Sequence, residues 1–211
     1  METNGIGVHL PAVVTLDDLA AMNRASKYGH RFELSPEGAL SVTPLPDSEH
    51  AAVASRLVGW LAIAGWPPEQ LLQAAGIRLA GPEGSGGRIP DLTVWARPQP
   101  PSTWLPLADL LLVVEIVSPG SKPIDELVKL REYARAGIRR YWMVDRDVAQ
   151  TVTLHLLGAG DTYEVAAKMP LAWLLRTPHL PTTTSAAEES QPSRRARRAS
   201  SFSATTCSRL A

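Results

Sequence analysis

A single cysteine, Cys207, in 211 residues leaves this chain neither a disulfide frame nor a thiolate metal site. Long apolar runs are missing too. No stretch approaches the roughly 18 consecutive apolar residues that span a bilayer. The opening "METNGIGVHLPAVV" has no basic segment followed by a long apolar one, which argues against a secretory signal. A cytoplasmic protein is the expectation. Charge of one sign is not in excess either, since 21 basic and 21 acidic residues balance. Setting aside the last 27 residues, with five Arg and two Glu, leaves 16 basic and 19 acidic residues in 1–184. The body of the chain is slightly acidic, which argues against a broad electropositive footprint for nucleic acid. There is no internal repeat.

What is present is ordinary for a globular protein: 45% hydrophobic and 20% charged residues, with length for one domain and a real core. "TLDDLAAMNRASKYG" (15–29) begins on a capping Thr15 and ends at Gly29, which predicts a short helix. "RFELSPEGALSVTP" (31–44) has a turn-type centre between two alternating runs and predicts a hairpin. A second helix is expected over 46–68, capped by Asp47 or Ser48 and ended by Gly65 and Pro67–Pro68. "GIRLA" and "RIPDLTVWA" read as strands around the glycine-rich turn "GPEGSGG". "LLLVVEIVS" (110–118) carries apolar residues on both faces, the pattern of a sheet centre. "PIDELVKLREYARAG" (123–137) is the clearest helix, with Pro123 and acids at its start and Gly137 at its end. "RYWMVD" and "VTLHLL" follow as strands. Trp60, Trp66, Trp95 and Trp104 read as core residues, with a homodimer patch as the alternative. Residues 170–211 are rich in Pro, Ser, Thr, Ala and Arg with few large apolar side chains, so a disordered tail is expected after a folded domain of residues 1–169.

The strand at 110–118 poses a physical problem. The apolar run Leu110–Val114 is interrupted by Glu115 and resumes at Ile116, and an ionised carboxylate costs several kcal/mol to bury uncompensated. Asp91, after Pro90 at the head of the preceding strand, is a second carboxylate. Two acids converging from adjacent strands can hold a hard cation such as Mg²⁺ or Mn²⁺, whose charge would make Glu115 tolerable. Lys129 in the next helix is the candidate to orient a nucleophilic water and neutralise charge on a phosphate, with Asp125 and Tyr133 four residues away on either side. Each residue has a plainer reading. Asp91 suits a turn, Glu115 a half-exposed sheet face, and Lys129 an exposed pair with Asp125. "GPEGSGG" is not a P-loop, because no Lys-Ser/Thr follows and the next element is a strand.

"RIPDLTVWA", "LLLVVEIVSPGSKPIDELVKLREYARAGIRRYWMVD" and "TVTLHLL" together resemble the Uma-two family of restriction-endonuclease-like proteins, a branch of the PD-(D/E)XK nuclease superfamily. The resemblance covers roughly residues 15 to 165 and is most specific from Val114 to Asp145. It implies an α/β fold with a restriction-endonuclease-like core, a central mixed sheet of five to seven strands flanked by helices. It further implies Asp91 and Glu115 as metal ligands, with the backbone carbonyl of Ile116 as a third. The superfamily's simplest pattern puts the lysine two residues after the Glu, where this chain has Val117; the family resembled puts it on the following helix, at Lys129. Lys122 in the intervening loop is a rival. Glu33 and His50 match accessory positions, although a surface strand residue and a helix-start packing residue are the alternatives for them. The chain departs from the family in its "SPEG" turn, in "PPEQLLQAAG", and near residue 168, where a last strand and short helix are not recognisable. The expected activity is metal-dependent hydrolysis of DNA. A catalytically silent binding or regulatory protein on the same fold is the alternative.

Overall fold

The computed structural model describes residues 13–81, 84–117 and 124–177, with side chains from Leu127 onward in the last segment. By compactness the chain divides at Pro181, and the unit Thr182–Ala211 lies outside the described residues, as does the expected tail beyond Thr177.

Helix α1 (Leu16–Ala25) starts on a reciprocal cap. Thr15 Oγ1 accepts from the Asp18 N–H while the Asp18 carboxylate accepts from the Thr15 N–H. It ends four residues short of the expected Gly29, because Asn23 turns its amide onto the backbone of Phe32 and draws the chain into β1 (Arg31–Leu34). β1 and β2 (Leu40–Thr43) form the expected hairpin, antiparallel from Arg31↔Thr43 to Leu34↔Leu40. Its turn is built on Ser35, whose hydroxyl accepts from the N–H groups of Glu37 and Ala39.

Helix α2 (Ser48–Ile63) is capped by Asp47 and buries Val53, Leu57 and Leu61 completely. Each such side chain contributes about 1.5–3 kcal/mol of apolar burial. Strands β3 (Leu71–Gln73), β4 (Ile77–Gly81), β5 (Gly84–Arg88), β6 (Leu92–Trp95) and β7 (Leu110–Ile116) follow. Helix α3 (Ile124–Arg135) leads through Gly137, at φ +75°, into β8 (Arg140–Val144). Then come β9 (Thr151–Leu157), β10 (Tyr163–Pro170) and the short helix α4 (Leu171–Leu174).

Two sheets result: β2-β1-β5-β4, and a six-stranded mixed sheet ordered β10-β9-β8-β7-β6-β3. The α/β class and a central mixed sheet of the expected size are both present. The β7–β8 pair is parallel and the crossover between them contains α3, whereas its neighbours are antiparallel. Even-numbered residues of β6 and β7 (Leu92, Val94, Leu112, Val114, Ile116) pack against α2 and α4. Val113 and Trp95, on the opposite face, join Tyr133 of α3 and Ile77 and Leu79 of β4. Trp60 and Trp95 are buried, and Trp66 and Trp104 pack against core clusters, so core packing accounts for all four tryptophans.

Three segments differ from expectation. Residues Gly84–Gly87, read as part of a turn, are strand, and their glycines serve close approach. A Cβ on Gly87 would lie 2.8–2.9 Å from the side chains of Trp104, Leu16 and Leu19. "PPEQLLQAAG" supplies the edge strand β3, and the Ala74 N–H donates to the Asp91 carbonyl at 3.2 Å. The closing strand and helix, expected to be missing, are both present. β10 pairs along β9, and Leu171 and Leu174 of α4 are wholly buried, which carries the fold past residue 169.

Candidate active site

Register brings the two acids together. β6 and β7 pair as Leu92↔Val114 and Thr93↔Val113, so one step further sets Asp91 opposite Glu115. Glu115 lies on the face covered by α3, whereas Asp91, at the head of β6, is reached by Arg31 of β1 and His50 of α2. Asp91 Oδ2 accepts the Ile116 N–H at 2.8 Å, which locks the Asp91 carboxylate beside the backbone of the Glu115–Ile116 step.

Glu115 faces α3. Lys129 Nζ donates to its Oε1 at 3.0 Å and Tyr133 Oη donates to the same oxygen at 2.7 Å. Lys129 and Tyr133 are one helical turn apart, so a single face of α3 delivers both. The compensating charge beside the buried Glu115 is Lys129, an internal cation. The reading of Lys129 as an exposed partner of Asp125 does not hold, because its side chain is only 17% exposed and points at Glu115. The Asp125 side chain and all of Lys122 lie outside the described residues.

The hairpin acid joins the same group. Glu33, 3% exposed, accepts the Ile89 N–H at 2.6 Å and lies 3.5 Å from both Arg88 Nη1 and Lys129 Nζ. The "SPEG" turn leaves Glu33 pointing inward. His50, from the first turn of α2, places Nε2 3.0 Å from Asp91 Oδ1, and Arg31 places Nη1 3.2 Å from that same oxygen. The helix cap is Asp47, so His50 does not serve as one; its buried Nδ1 has no hydrogen-bond partner among the described residues.

Sequence reasoning did not single out Arg31, Arg88 or Glu132. Arg88 donates from Nε and Nη2 to both oxygens of Glu132, each at 2.7 Å, with both side chains buried. This bidentate pair is the strongest class of ion pair. The available signals were the spacing of Glu132 three residues after Lys129 on α3, and of Arg88 three before Asp91.

The electrostatics follow from the count. Glu33, Asp91, Glu115 and Glu132 face three permanently charged cations, Arg31, Arg88 and Lys129. Leaving His50 aside, the carboxylates outnumber these cations by one, and the crowding tells on Glu115. Burial raises its pKa, Lys129 opposes the rise, and the Asp91 and Glu33 carboxylates add to it, to about 7 from 4.5. Burial works against the charge of Asp91 too, but the hydrogen bond and charge of His50 outweigh it and hold Asp91 below its ordinary value. Burial likewise disfavours a charged Lys129, yet Glu115 and Glu33 overcome this and its pKa is raised, so it stays an ammonium.

Among the described residues no group of three or more His, Cys, Asp or Glu side chains is arranged to hold a metal ion. The pair Asp91 and Glu115 nevertheless suits a hard divalent cation in donor type and in charge. Both are oxygen donors, the cluster carries a surplus carboxylate, and Glu115 Oε2 receives neither Lys129 nor Tyr133.

Residues 16–187 match a family model, Uma2, described as "Putative restriction endonuclease". No curated protein matches the chain. Among solved structures, a putative nuclease belonging to DUF820 from Anabaena variabilis aligns with TM-score 0.55 at 20% identity, covering 72% of this chain and 83% of that one. That likeness establishes a shared fold. Among the described residues no helix is long and apolar enough to cross a membrane.

Proposed function

The chain belongs to the Uma2 family, and from that premise we propose that it is a metal-dependent nuclease that hydrolyses phosphodiester bonds of DNA. The observation that supports the proposal is the convergence of Asp91, Glu115 and Lys129 where β6 and β7 pair, with the other buried acids raising the pKa of Glu115. Asp91 and Glu115 would hold Mg²⁺ or Mn²⁺, with the carbonyl of Ile116 as the third protein ligand. Bound there, the cation would supply a Lewis acid and an activated water. Lys129 contributes a fixed positive charge beside the scissile phosphate, worth most in a site shielded from water. Glu33 and Tyr133 hold Lys129 and Glu115 in place, and His50 keeps Asp91 ionised and oriented.

The test is cleavage of plasmid and linear DNA with Mg²⁺ or Mn²⁺. Asp91→Ala, Glu115→Ala and Lys129→Ala should each abolish it while circular dichroism shows the fold retained. Robust cleavage by Asp91→Ala would reject the proposal.

One observation favours a second reading, a catalytically silent binding or regulatory protein. Asp91 already receives Arg31, His50 and the Ile116 N–H, so its oxygens are engaged without a metal. That protein would show no hydrolysis with either cation, yet would bind a partner saturably.

A further inference from the structure

The acidic body of the chain has a local reversal near its start. Between Asp18 and Glu33 it carries Arg24, Lys27, His30 and Arg31 and no acidic residue. This segment is the end of α1 and the turn into β1, and it runs directly into the site. Arg31 is bonded to Asp91, and Glu33, two residues on and therefore on the same side of β1, lies within reach of Lys129. Arg24 and Lys27 are exposed and have no ion-pair partner among the described residues. After them in the chain, and before Arg31, comes Tyr28, 76% exposed, its ring set edge-on to His30 at 6.2 Å.

The turn is built firmly. Asn23 bonds the N–H and carbonyl of Phe32 across its base. Gly29 takes φ +68° with the Leu45 side chain directly against it, where a Cβ would come within 2.8–3.0 Å. Arg24 at the end of α1, Lys27 and the solvent-facing Tyr28 on the braced turn, and Arg31 at the start of β1 thus follow one another along the chain, and the last of them touches a site carboxylate.

We propose that Arg24, Lys27, Tyr28 and Arg31 form the surface that guides a nucleic-acid strand into the site. Arg24 and Lys27 contact backbone phosphates, Tyr28 stacks on an unpaired base, and Arg31 meets the phosphate nearest Asp91. Cations spaced along a strand with an aromatic between them are the combination that single-stranded nucleic acid recognises, because phosphates and base faces alternate along it. The inference rests on the nuclease reading for the identity of the partner, and deepens it by naming where the strand enters.

The experiment is fluorescence anisotropy with a labelled single-stranded oligonucleotide in EDTA, where no cleavage intervenes. It uses the full-length chain with Arg194, Arg195, Arg197 and Arg198 replaced by Gln, so that the tail adds no attraction of its own. Arg24→Gln with Lys27→Gln should weaken binding about tenfold and lower the salt slope by about 1.4, roughly 0.7 for each phosphate no longer neutralised. Tyr28→Ala should weaken it about tenfold by removing the stacking ring, and Tyr28→Phe should bind as the parent does. These side chains are exposed, and thermal melts monitored by circular dichroism should confirm an unchanged fold. Parent protein that does not bind, or an Arg24→Gln/Lys27→Gln or Tyr28→Ala variant that binds as the parent does, would overturn the inference. So would losses seen only on anionic phosphatidylserine vesicles, which would assign the loop to a lipid surface. The two readings separate cleanly. Weakened binding in a chain that never cleaves rejects the nuclease alone, and undiminished binding by the variants of an active nuclease rejects the loop alone.

Discussion

Metal uptake should release a proton, and the raised pKa of Glu115 sets how the amount depends on pH. With its pKa raised to about 7 by burial and by the neighbouring Asp91 and Glu33, Glu115 is about one-tenth ionised at pH 6, half at pH 7 and nine-tenths at pH 8. A divalent cation binds the carboxylate and not the acid, so about 0.9 proton should leave per metal at pH 6, about 0.5 at pH 7 and about 0.1 at pH 8. Apparent affinity should rise about fivefold from pH 6 to 7 and less than twofold from 7 to 8. An ordinary glutamate, titrating near 4.5, would release under about 0.05 proton at any of these values. Isothermal titration calorimetry with Mn²⁺ in buffers of different ionisation enthalpy measures the count directly. Lys129 is the largest influence opposing the rise, so Lys129→Met should move the midpoint to higher pH. Affinity that stays flat from pH 6 to 8 with no proton released would refute the reasoning, since Glu115 would then be either fully ionised or not a ligand.

Three further outcomes are expected. In metal-free protein the neutral form of Glu115 favours the fold; that contribution is complete below the ordinary pKa of 4.5 and is lost as pH rises through about 7. Glu115→Gln should therefore gain about 2–3 kcal/mol on the parent between pH 5 and pH 8, read from urea unfolding. Arg88→Met strands the buried Glu132 and Glu33 and should cost about 3–5 kcal/mol, while adding Glu132→Leu should restore part of it in the same assay. Leu174→Ala, in a helix that completes the core, should cost about 2–5 kcal/mol and lower the melting temperature.

The elements with strong periodicity were legible from the chain. β7 shows as an apolar run broken only by Glu115 because both of its faces are covered, and α3 shows through its caps and spacing. β3 is three residues long, too short for any pattern to emerge. β10 is an edge strand with no buried position, exposed at four of its eight residues and bulged between Val165 and Ala167, so the alternation of Tyr163, Val165, Ala167 and Met169 with Glu164, Ala166 and Lys168 does not mark a core-facing side. The site divides in the same way. Asp91, Glu115 and Lys129 are conspicuous as charges in or beside apolar segments, and Glu33 and His50 followed from the family resemblance. Arg88 and Glu132 left little trace, because a buried pair drawn from two distant segments looks locally like two surface charges.

Residue order alone placed a carboxylate in the most apolar strand, and a lysine and a tyrosine on one face of the following helix, since helical and strand periods are local properties; that Glu115 is buried was decided by the packing. Which cation Glu115 meets, how many acids crowd it, and that Glu33, Arg88 and Glu132 belong to the same cluster were decided only when β1, β5, β7 and α3 packed together. Electrostatic energy in a buried site depends on distances across the chain, and no local pattern encodes those.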